Sequence, residues 1–283
     1  MHFNVLYHAN CSDGFCCVWV LSKVYHSSTL RLYPVQHGSP PPDVERPIIV
    51  DFCYDAETLK RLNPLIVIDH HKTAEKALRD SGVPHVYSSD FAACELVWKY
   101  FSVLGPEMPD IVRYCADRDM WRWREPDSRA YNAGLRTYPH DLNVWNDLAR
   151  FSGTKKLIQE GTAILKYQQS LIDQHVKRAV PVTIDGHSGY GCECTCLDLV
   201  SEIAGELATR AKFGVTWHQK GNNYIYSLRS RGDFDVSEVA RRLGGGGHRN
   251  AAGFTVSFGE TRVVHQSDLP ERVVRESSAS SPT

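Results

Sequence analysis

Short apolar runs alternate with amphipathic stretches along the first half of the chain. Residues 3–8 (FNVLYH), 47–52 (PIIVDF) and 65–71 (LIVIDHH) each contain an uninterrupted apolar run, which is typical of strands buried on both faces of a parallel sheet. Strands that alternate with helices in this way form α/β domains. We therefore predict a doubly wound, mostly parallel sheet within residues 1–150.

A long helix and a second domain are predicted for the rest of the chain. Apolar residues recur every seven positions from Leu157, which favours one connector helix over residues 151–178 and leaves open a homodimer formed through a coiled coil. Residues 179–262 contain short strand patterns, a Gly-Asn-Asn turn and two helical stretches, which together predict a smaller α/β domain. Residues 263–283 are predicted to be a disordered tail, because they lack periodic apolar positions.

Composition and charge narrow the classes of partner. A formal net charge of −1 gives the chain no overall positive field, so we do not expect it to bind long duplex nucleic acid. Nine irregularly spaced cysteines and the absence of a secretory signal pattern favour a reducing, cytoplasmic location. No apolar run approaches the roughly 20 residues that span a bilayer, so we expect no membrane association.

Metal-binding residue types follow three of the predicted strands. His8 ends the first apolar run, Asp51 follows the second, and an Asp-His-His sequence ends the third. Because the carboxyl ends of parallel strands line the crevice where ligands bind, we expect these side chains to meet. Asp13, five residues after His8, and the ADRD segment at residues 116–119 add further acids. The candidates are His8, Asp13, Asp51, Asp69, His70, His71, Asp117 and Asp119.

The chemistry of this set favours divalent metal ions. Imidazole and carboxylate groups without a thiolate pattern suit Mn²⁺, Fe²⁺ or Zn²⁺, and Mg²⁺ is less natural beside histidine. The acids suffice for two ions about 3.5–4 Å apart, an arrangement that activates water for phosphoryl displacement. Any one of these residues alone is better explained as an exposed strand end. The set together favours a site.

The Asp-His-His sequence resembles the signature of the DHH phosphoesterase family, and three other segments extend the resemblance. Those similar to the family's first, second and fourth motifs are, in order, residues 7–15 (YHANCSDGF), 50–52 (VDF) and 115–123 (CADRDMWRW). Residues 244–254 (GGGGHRNAAGF) are similar to the glycine-rich signature of the associated DHHA1 domain. The resemblance implies a DHH catalytic domain at 1–150 and a DHHA1-like substrate-binding domain at 179–262.

The resemblance also implies a ligand set for two metal ions. Mn²⁺ is the usual ion of the family, and Mg²⁺, Co²⁺ or Fe²⁺ are alternatives. One ion would be held by His8 and Asp51. The ligands implied for the other are Asp13, Asp51, His70 and Asp117. Asp51 would therefore bridge the two ions.

The resemblance implies catalytic roles for the two remaining members of the signature. His71 would face the scissile phosphate, and Asp69 would orient its neighbours without binding metal itself. Many family members carry two aspartates in the first motif, whereas this chain has Asp13 alone, with Cys11 and Ser12 where another acid would fall. One branch of the family has a similar Tyr-His-x-x-Cys-x-Asp-Gly-Phe first motif, so the single aspartate does not by itself imply an inactive protein. It bears instead on which residues bind the first ion. Cys11 as a soft ligand is the less favoured interpretation.

The glycine-rich segment and a nearby arginine are candidate phosphate contacts. Glycines let backbone amides approach a phosphate closely, which favours a binding site over a merely flexible loop. His248 follows as a donor, and Arg229 is the preferred bidentate contact, with Arg231 the weaker candidate. The predicted substrate-binding residues are Gly245, Gly246, Gly247, His248 and Arg229.

Two further patterns have plainer explanations. Trp121 and Trp123 directly follow the fourth motif, and a hydrophobic wall of the site is favoured over stacking on nucleobases. Cys192, Cys194 and Cys196 alternate along a predicted strand without a nearby fourth ligand, so buried thiols are favoured over a zinc site.

These observations predict a metal-dependent phosphodiesterase. Its expected substrates are short oligonucleotides or linear dinucleotides, cleaved to mononucleotides by water that two metal ions activate. Three alternatives stay open: a phosphoanhydride hydrolase acting on pyrophosphate or polyphosphate, a single-strand exonuclease, and a catalytically weak nucleotide-binding sensor.

Overall fold

A computed structural model describes residues 2–101, 107–257 and 263–265. The chain divides into two compact units, Met1–Leu165 and Lys166–Thr283. Both units combine one sheet with helices, so the predicted α/β class is confirmed.

A five-stranded parallel sheet forms the centre of the first unit. Its order is β2-β1-β3-β4-β5, and every neighbouring pair is parallel. The strands are β1 (Phe3–His8), β2 (Leu30–Val35), β3 (Ile48–Val50), β4 (Ile66–Asp69) and β5 (His85–Tyr87). Every residue of β3 and β4 is buried, as expected for strands covered on both faces.

Helices cover both faces of this sheet, which confirms the predicted doubly wound arrangement. Val5 and Tyr7 of β1 pack into one hydrophobic core, and Leu6 between them packs into another on the opposite face. The helices are α1 (Ser12–Val24), α2 (Ala56–Leu62), α3 (Lys72–Ser81), α4 (Ala93–Phe101), α5 (Asp110–Asp119), α6 (Ser128–Leu135) and α7 (Leu142–Leu148). Both cores therefore hold the same strands, and the strand ends are fixed in position.

Local sequence signals set the ends of α2 and α3. The Asp55 carboxylate accepts hydrogen bonds from the Glu57 and Thr58 amides at 3.1 and 3.0 Å, which begins α2. Asn63 and Gly82 adopt left-handed backbone conformations (φ 45° and 68°) that end α2 and α3.

One 27-residue helix, α8 (Phe151–Lys177), runs from the first unit into the second. Leu157 belongs to the core of the first unit, whereas Ile172 and Val176 belong to a core of the second. Gly161 lies so close to α6 that a Cβ atom there would stand 1.7 Å from the Ala130 carbonyl oxygen. The apolar residues of the seven-residue spacing thus lie on one helix, and its role as a connector stays a prediction.

A seven-stranded sheet forms the second unit. Its order is β10-β11-β9-β8-β7-β6-β12; β7 and β8 pair in parallel, and the other neighbours pair antiparallel. The strands are β6 (Val180–Ile184), β7 (His187–Glu193), β8 (Phe213–Lys220), β9 (Asn223–Ser230), β10 (Gly246–His248), β11 (Ala251–Ser257) and β12 (Val263–His265). Two helices accompany them, α9 (Val200–Leu207) and α10 (Val236–Arg242).

The last described strand corrects the predicted start of the tail. Residues 263–265 were expected to be disordered, but they form β12 and pair antiparallel with residues 182–184 of β6. Backbone hydrogen bonds hold such a short strand without any periodic apolar signal. Residues 266–283 of the predicted tail lie outside the described residues.

Among the described residues, no helix combines the length and the apolar character needed to cross a membrane.

Candidate metal centre

Three strand ends place Asp51 between the histidines of the first unit. His8 is the last residue of β1, Asp51 follows β3, and His70 and His71 follow β4. The Asp51 Oδ2 atom lies 3.6 Å from His8 Nδ1, and its Oδ1 atom lies 3.4 Å from His70 Nε2. Oδ1 is also 3.9 Å from His71 Nδ1. The order β1-β3-β4 in the sheet thus brings the predicted residues together at one edge.

Asp51 carries the clearest sign of a cation site. Its side chain is 1% exposed, and neither carboxylate oxygen has a hydrogen-bond partner among the described residues. Its backbone is left-handed (φ 55°), which is uncommon for a residue other than glycine. Burying an unsatisfied carboxylate costs free energy unless a charge compensates it. The fold therefore holds this carboxylate in a conformation that a bound cation explains.

Two groups of three side chains offer ligand atoms within 4.8 Å of one another. The first consists of His8, Asp51 and His71, and the second of Asp13, His70 and Asp119. In the second group, His70 Nε2 lies 3.8 Å from Asp13 Oδ2 and 3.4 Å from Asp119 Oδ2. Because Asp51 directs one oxygen towards His8 and the other towards His70, it adjoins both groups.

The electrostatics of the groups reflect crowded acids. Burial raises the pKa of Asp13, and the carboxylates of Asp51 and Asp119 raise it further. Burial also raises the pKa of Asp51, but contacts with His70 and His8 outweigh it and lower this pKa to about 2. Burial lowers the pKa of His70, but the contact with Asp51 and the other nearby acids outweigh it and raise this pKa to about 9. The positive charge of a protonated His70 thus offsets only part of the negative charge of the surrounding aspartates.

These donors fit a pair of divalent ions. Carboxylates and imidazoles are ligands for Mn²⁺ and related ions, and shared carboxylates occur where two ions lie close together. His8 and Asp51 could hold one ion. The residues that could hold the other are Asp13, Asp51, His70 and Asp119.

Asp13 also has a structural task. Its two oxygens accept hydrogen bonds from the amides of Ala93 and Cys94, at 2.8 and 2.9 Å, in the first turn of α4. These amides carry the positive end of the helix dipole, which favours a carboxylate there. Asp13 therefore fixes α4 against α1 and keeps its position beside His70.

Asp69 orients the ring of His71. Its Oδ1 atom accepts the His71 Nδ1–H at 2.8 Å and the backbone amides of His70 and His71 at 2.7 and 3.1 Å. This hydrogen bond raises the pKa of His71. Holding the proton on Nδ1 leaves Nε2 for a ligand or substrate, which is the arrangement implied by the resemblance to the family.

The structure favours Asp119 over the predicted ligand Asp117. Asp117 Oδ1 accepts a hydrogen bond from the Arg124 amide at 2.8 Å, whereas its Oδ2 is buried without a hydrogen-bond partner among the described residues. Asp117 belongs to neither group of ligand atoms found among those residues. Both acids lie on α5, where residues two positions apart point about 200° apart around the helix axis. Only one of them can therefore face His70, and that residue is Asp119.

His37 lies at the same edge, although its sequence context gave no reason to select it. It follows β2, and its ring centroid is 5.4 Å from that of His8 and 6.2 Å from that of His71. It packs on Phe52 at 4.9 Å and is exposed. A strand that ended just before Gln36-His37-Gly38 would have been the signal, but only one residue of β2 is buried and its sequence does not form an apolar run.

Cys11 lies just before α1, among the charges of the two groups. Burial raises the pKa of its thiol, and the nearby carboxylates of Asp51 and Asp13 raise it further. The thiol therefore stays protonated, and thiolate is the form that binds metal. Among the described residues, Cys11 belongs to neither group.

The glycine segment of the second unit is a strand rather than a flexible loop. Gly246–His248 form β10, an exposed edge strand paired with β11. A Cβ atom at Gly245 would lie 2.1 Å from the Gly253 carbonyl oxygen, and one at Gly247 would lie 2.5 Å from that of Ala251. Close packing therefore explains the glycines at positions 245 and 247. At Gly246, a Cβ atom would meet nothing within 4 Å.

Comparison with known proteins identifies this part of the chain. Residues 198–263 match the DHHA1 domain. The family predicted from the glycine-rich signature is confirmed for this region, which includes β10 and β11. The branch with the Tyr-His-x-x-Cys-x-Asp-Gly-Phe motif stays a prediction.

Two kinds of relative extend the comparison to the first unit. An uncharacterized protein of Acanthamoeba polyphaga mimivirus is 28% identical over 287 residues, which cover 89% of this chain and 67% of that protein. The solved pGpG-specific phosphodiesterase PggH from Vibrio cholerae has a TM-score of 0.53 at 14% identity, over 90% of this chain and 93% of its own. RecJ from Thermus thermophilus, solved in complex with Mn²⁺, has a TM-score of 0.50 at 14% identity, over 90% of this chain and 49% of its own. These likenesses confirm the predicted fold.

The predicted phosphate contact Arg229 is engaged inside the DHHA1 domain. Its Nη1 donates to the Leu228 carbonyl at 2.8 Å and its Nη2 to Ser201 Oγ at 2.6 Å. Burial lowers the pKa of its guanidinium. A bidentate phosphate contact would require Arg229 to exchange these bonds for phosphate oxygens. His248, by contrast, is exposed on the edge strand.

Of the three alternating cysteines, two are buried as expected, whereas Cys196 is half-buried. Cys192 and Cys194 are buried, and the Cys194 thiol donates to the Cys196 carbonyl at 3.3 Å. Within the described part of the chain, they form no group with metal-binding geometry.

Proposed function

We propose that the chain is a metal-dependent phosphodiesterase that cleaves short oligonucleotides or linear dinucleotides to mononucleotides. The observation that carries this proposal is the buried, unpartnered Asp51 carboxylate between two groups of acids and histidines. When bound there, two divalent ions, with Mn²⁺ foremost and Mg²⁺, Co²⁺ or Fe²⁺ as alternatives, would polarise the phosphoryl oxygens and activate water.

The proposed reaction uses His71 as a proton donor. Asp69 accepts the Nδ1–H and raises the pKa of the ring, so the imidazolium form is favoured. Its Nε2–H is then free to donate to the leaving oxygen of the phosphodiester. His8, Asp13, Asp51, His70 and Asp119 are the proposed metal ligands.

The DHHA1 domain is proposed to bind phosphate groups. The open space at Gly246 and the exposed imidazole of His248 support this assignment. Gly245 and Gly247 keep the strand close to β11, and Arg229 is the proposed charged contact. Short substrates are proposed because the chain has a formal net charge of −1 and because PggH, of similar fold, is a phosphodiesterase specific for pGpG.

A nucleotide-binding protein with little turnover is the second candidate. It is favoured by Cys11, which stands near a position where many members of the DHH family carry an acid and whose thiol stays protonated. In that case one of the two ions would have one charged ligand fewer and would be bound weakly.

Hydrolysis assays with added Mn²⁺ test the proposal. The substrates are RNA of two to ten nucleotides, pGpG and pyrophosphate, and Asp51→Asn is the inactive control. Preference for the shortest oligonucleotides and for pGpG supports the proposal. Phosphate released from pyrophosphate alone would move the chain to the phosphoanhydride hydrolases, and nucleotide binding without turnover would favour the second candidate.

A further inference from the structure

Trp121 is a large aromatic side chain that the fold leaves open to solvent. It lies two residues after the end of α5, and it is 77% exposed. Its backbone is left-handed (φ 52°), and so is that of Trp123 (φ 50°). Bulky residues rarely adopt this conformation, and such strain persists where surrounding contacts impose it, often at binding sites. The hydrophobic wall expected from the sequence does not describe so exposed a ring.

Contacts on both sides of Trp121 fix its backbone. The Arg122 guanidinium lies 3.0 Å from Glu95 Oε2 and donates to the Asp90 carbonyl at 2.7 Å. The Trp121 amide donates to the Arg118 carbonyl at 3.0 Å. The two indole rings meet edge to face, with centroids 5.5 Å apart and an interplanar angle of 90°. These contacts therefore hold the backbone of Trp121, and its ring packs against that of Trp123.

Trp121 is also close in the chain to the candidate metal centre. Asp119, two residues earlier, places its Oδ2 atom 3.4 Å from His70 Nε2. Two residues span at most roughly 7 Å of extended chain, a distance comparable to the size of one nucleotide. An aromatic ring so placed can contact a group attached to a phosphate that is bound at the centre.

We propose that Trp121 is a stacking platform for a nucleobase next to the scissile phosphate. The inference rests on the proposed phosphodiester substrate and adds the residue that holds its base. Stacking on an indole tolerates every base, because each base has an aromatic face. The subsite therefore contributes affinity for nucleotides without selecting a sequence.

Steady-state kinetics on matched substrates test this platform. The variants are Trp121→Ala and Trp121→Phe, with Tyr100→Ala, another exposed aromatic of the first unit, as the control. The substrates are a dinucleotide and its analogue that lacks one base. We expect Trp121→Ala to raise KM for the dinucleotide roughly tenfold, with kcat within about twofold of the parent. Trp121→Phe and Tyr100→Ala should stay near the parent values.

The analogue without a base separates stacking from a general loss of structure. If Trp121 stacks on that base, Trp121→Ala should leave KM for the analogue unchanged, and melting temperatures should match the parent. An equal rise of KM for both substrates, or no rise for either, would overturn the proposal.

A binding measurement keeps the platform testable if no substrate is hydrolysed. Tryptophan fluorescence is titrated with AMP and with ribose 5-phosphate, which lacks the base. Quenching by AMP alone, reduced in Trp121→Phe, would support the platform even though the proposed hydrolysis had failed. Equal quenching in the parent and in Trp121→Phe would overturn it.

Discussion

At the scale of single residues, the candidate centre is an accumulation of acids that the surrounding protein does not neutralise. Asp13 and Asp51 are buried and Asp119 is half-buried, and the nearby positive groups are imidazoles and, for Asp119, the Arg118 guanidinium. Asp13 is satisfied by the amides of α4, whereas Asp51 has no hydrogen-bond partner among the described residues. Bound cations would offset this imbalance, most of all at Asp51.

Asp117 and Asp119 provide a matched pair for testing the ligand set. We expect Asp119→Asn to weaken Mn²⁺ binding by at least about tenfold while stability changes little, because this carboxylate faces His70. Asp117→Asn should instead lower the free energy of unfolding by roughly 1–3 kcal/mol, because it weakens the buried acceptor of the Arg124 amide. Calorimetric Mn²⁺ titration and urea unfolding measure the two effects. The opposite pattern would return the ligand role to Asp117.

The residue types of the centre could be predicted from the sequence, but their exact membership could not. His8, Asp51 and the Asp-His-His sequence follow apolar runs, so their meeting follows from the sheet alone. The choice between Asp117 and Asp119 depends on how α5 is rotated about its axis, which tertiary packing decides. His37 depends on a loop conformation after β2, for which the sequence carries no periodic signal.

At the scale of elements, buried strands were predictable and half-buried ones were not. β1, β3 and β4 contain the three apolar runs, whereas β2 and β5 are partly exposed and give weak patterns. β12 has only three residues and was assigned to a tail because its segment lacks periodic apolar positions. Likewise, the glycine segment has no strand propensity, yet pairing with β11 makes it a strand.

The glycines of that segment should differ in their tolerance of alanine. A Cβ atom at Gly247 meets backbone 2.5 Å away and the residue has φ 142°, whereas one at Gly246 meets nothing within 4 Å. We expect Gly247→Ala to lower the free energy of unfolding by roughly 1–3 kcal/mol, and Gly246→Ala to change it by less than about 0.5 kcal/mol. Urea unfolding measures both variants. Equal losses would show that β10 does not pack as described.

At the scale of the whole molecule, two units carry separable parts of the account. The first unit contains the candidate metal centre, and the second contains the DHHA1 domain. The α/β class and helix α8 were predictable, because both depend on long, strongly patterned segments. The substrate was not, because pocket shape decides it, and a neighbour at 14% identity shares only the fold.

The most direct test of the central claim is a calorimetric titration of the metal-free protein with Mn²⁺, for the parent and for Asp51→Asn. If Asp51 lies between two metal sites, the parent should bind two ions per chain. The variant should bind at least one of them about a hundredfold more weakly, because the shared charge is lost. A single ion in the parent, or unchanged binding of two ions in Asp51→Asn, would contradict the account.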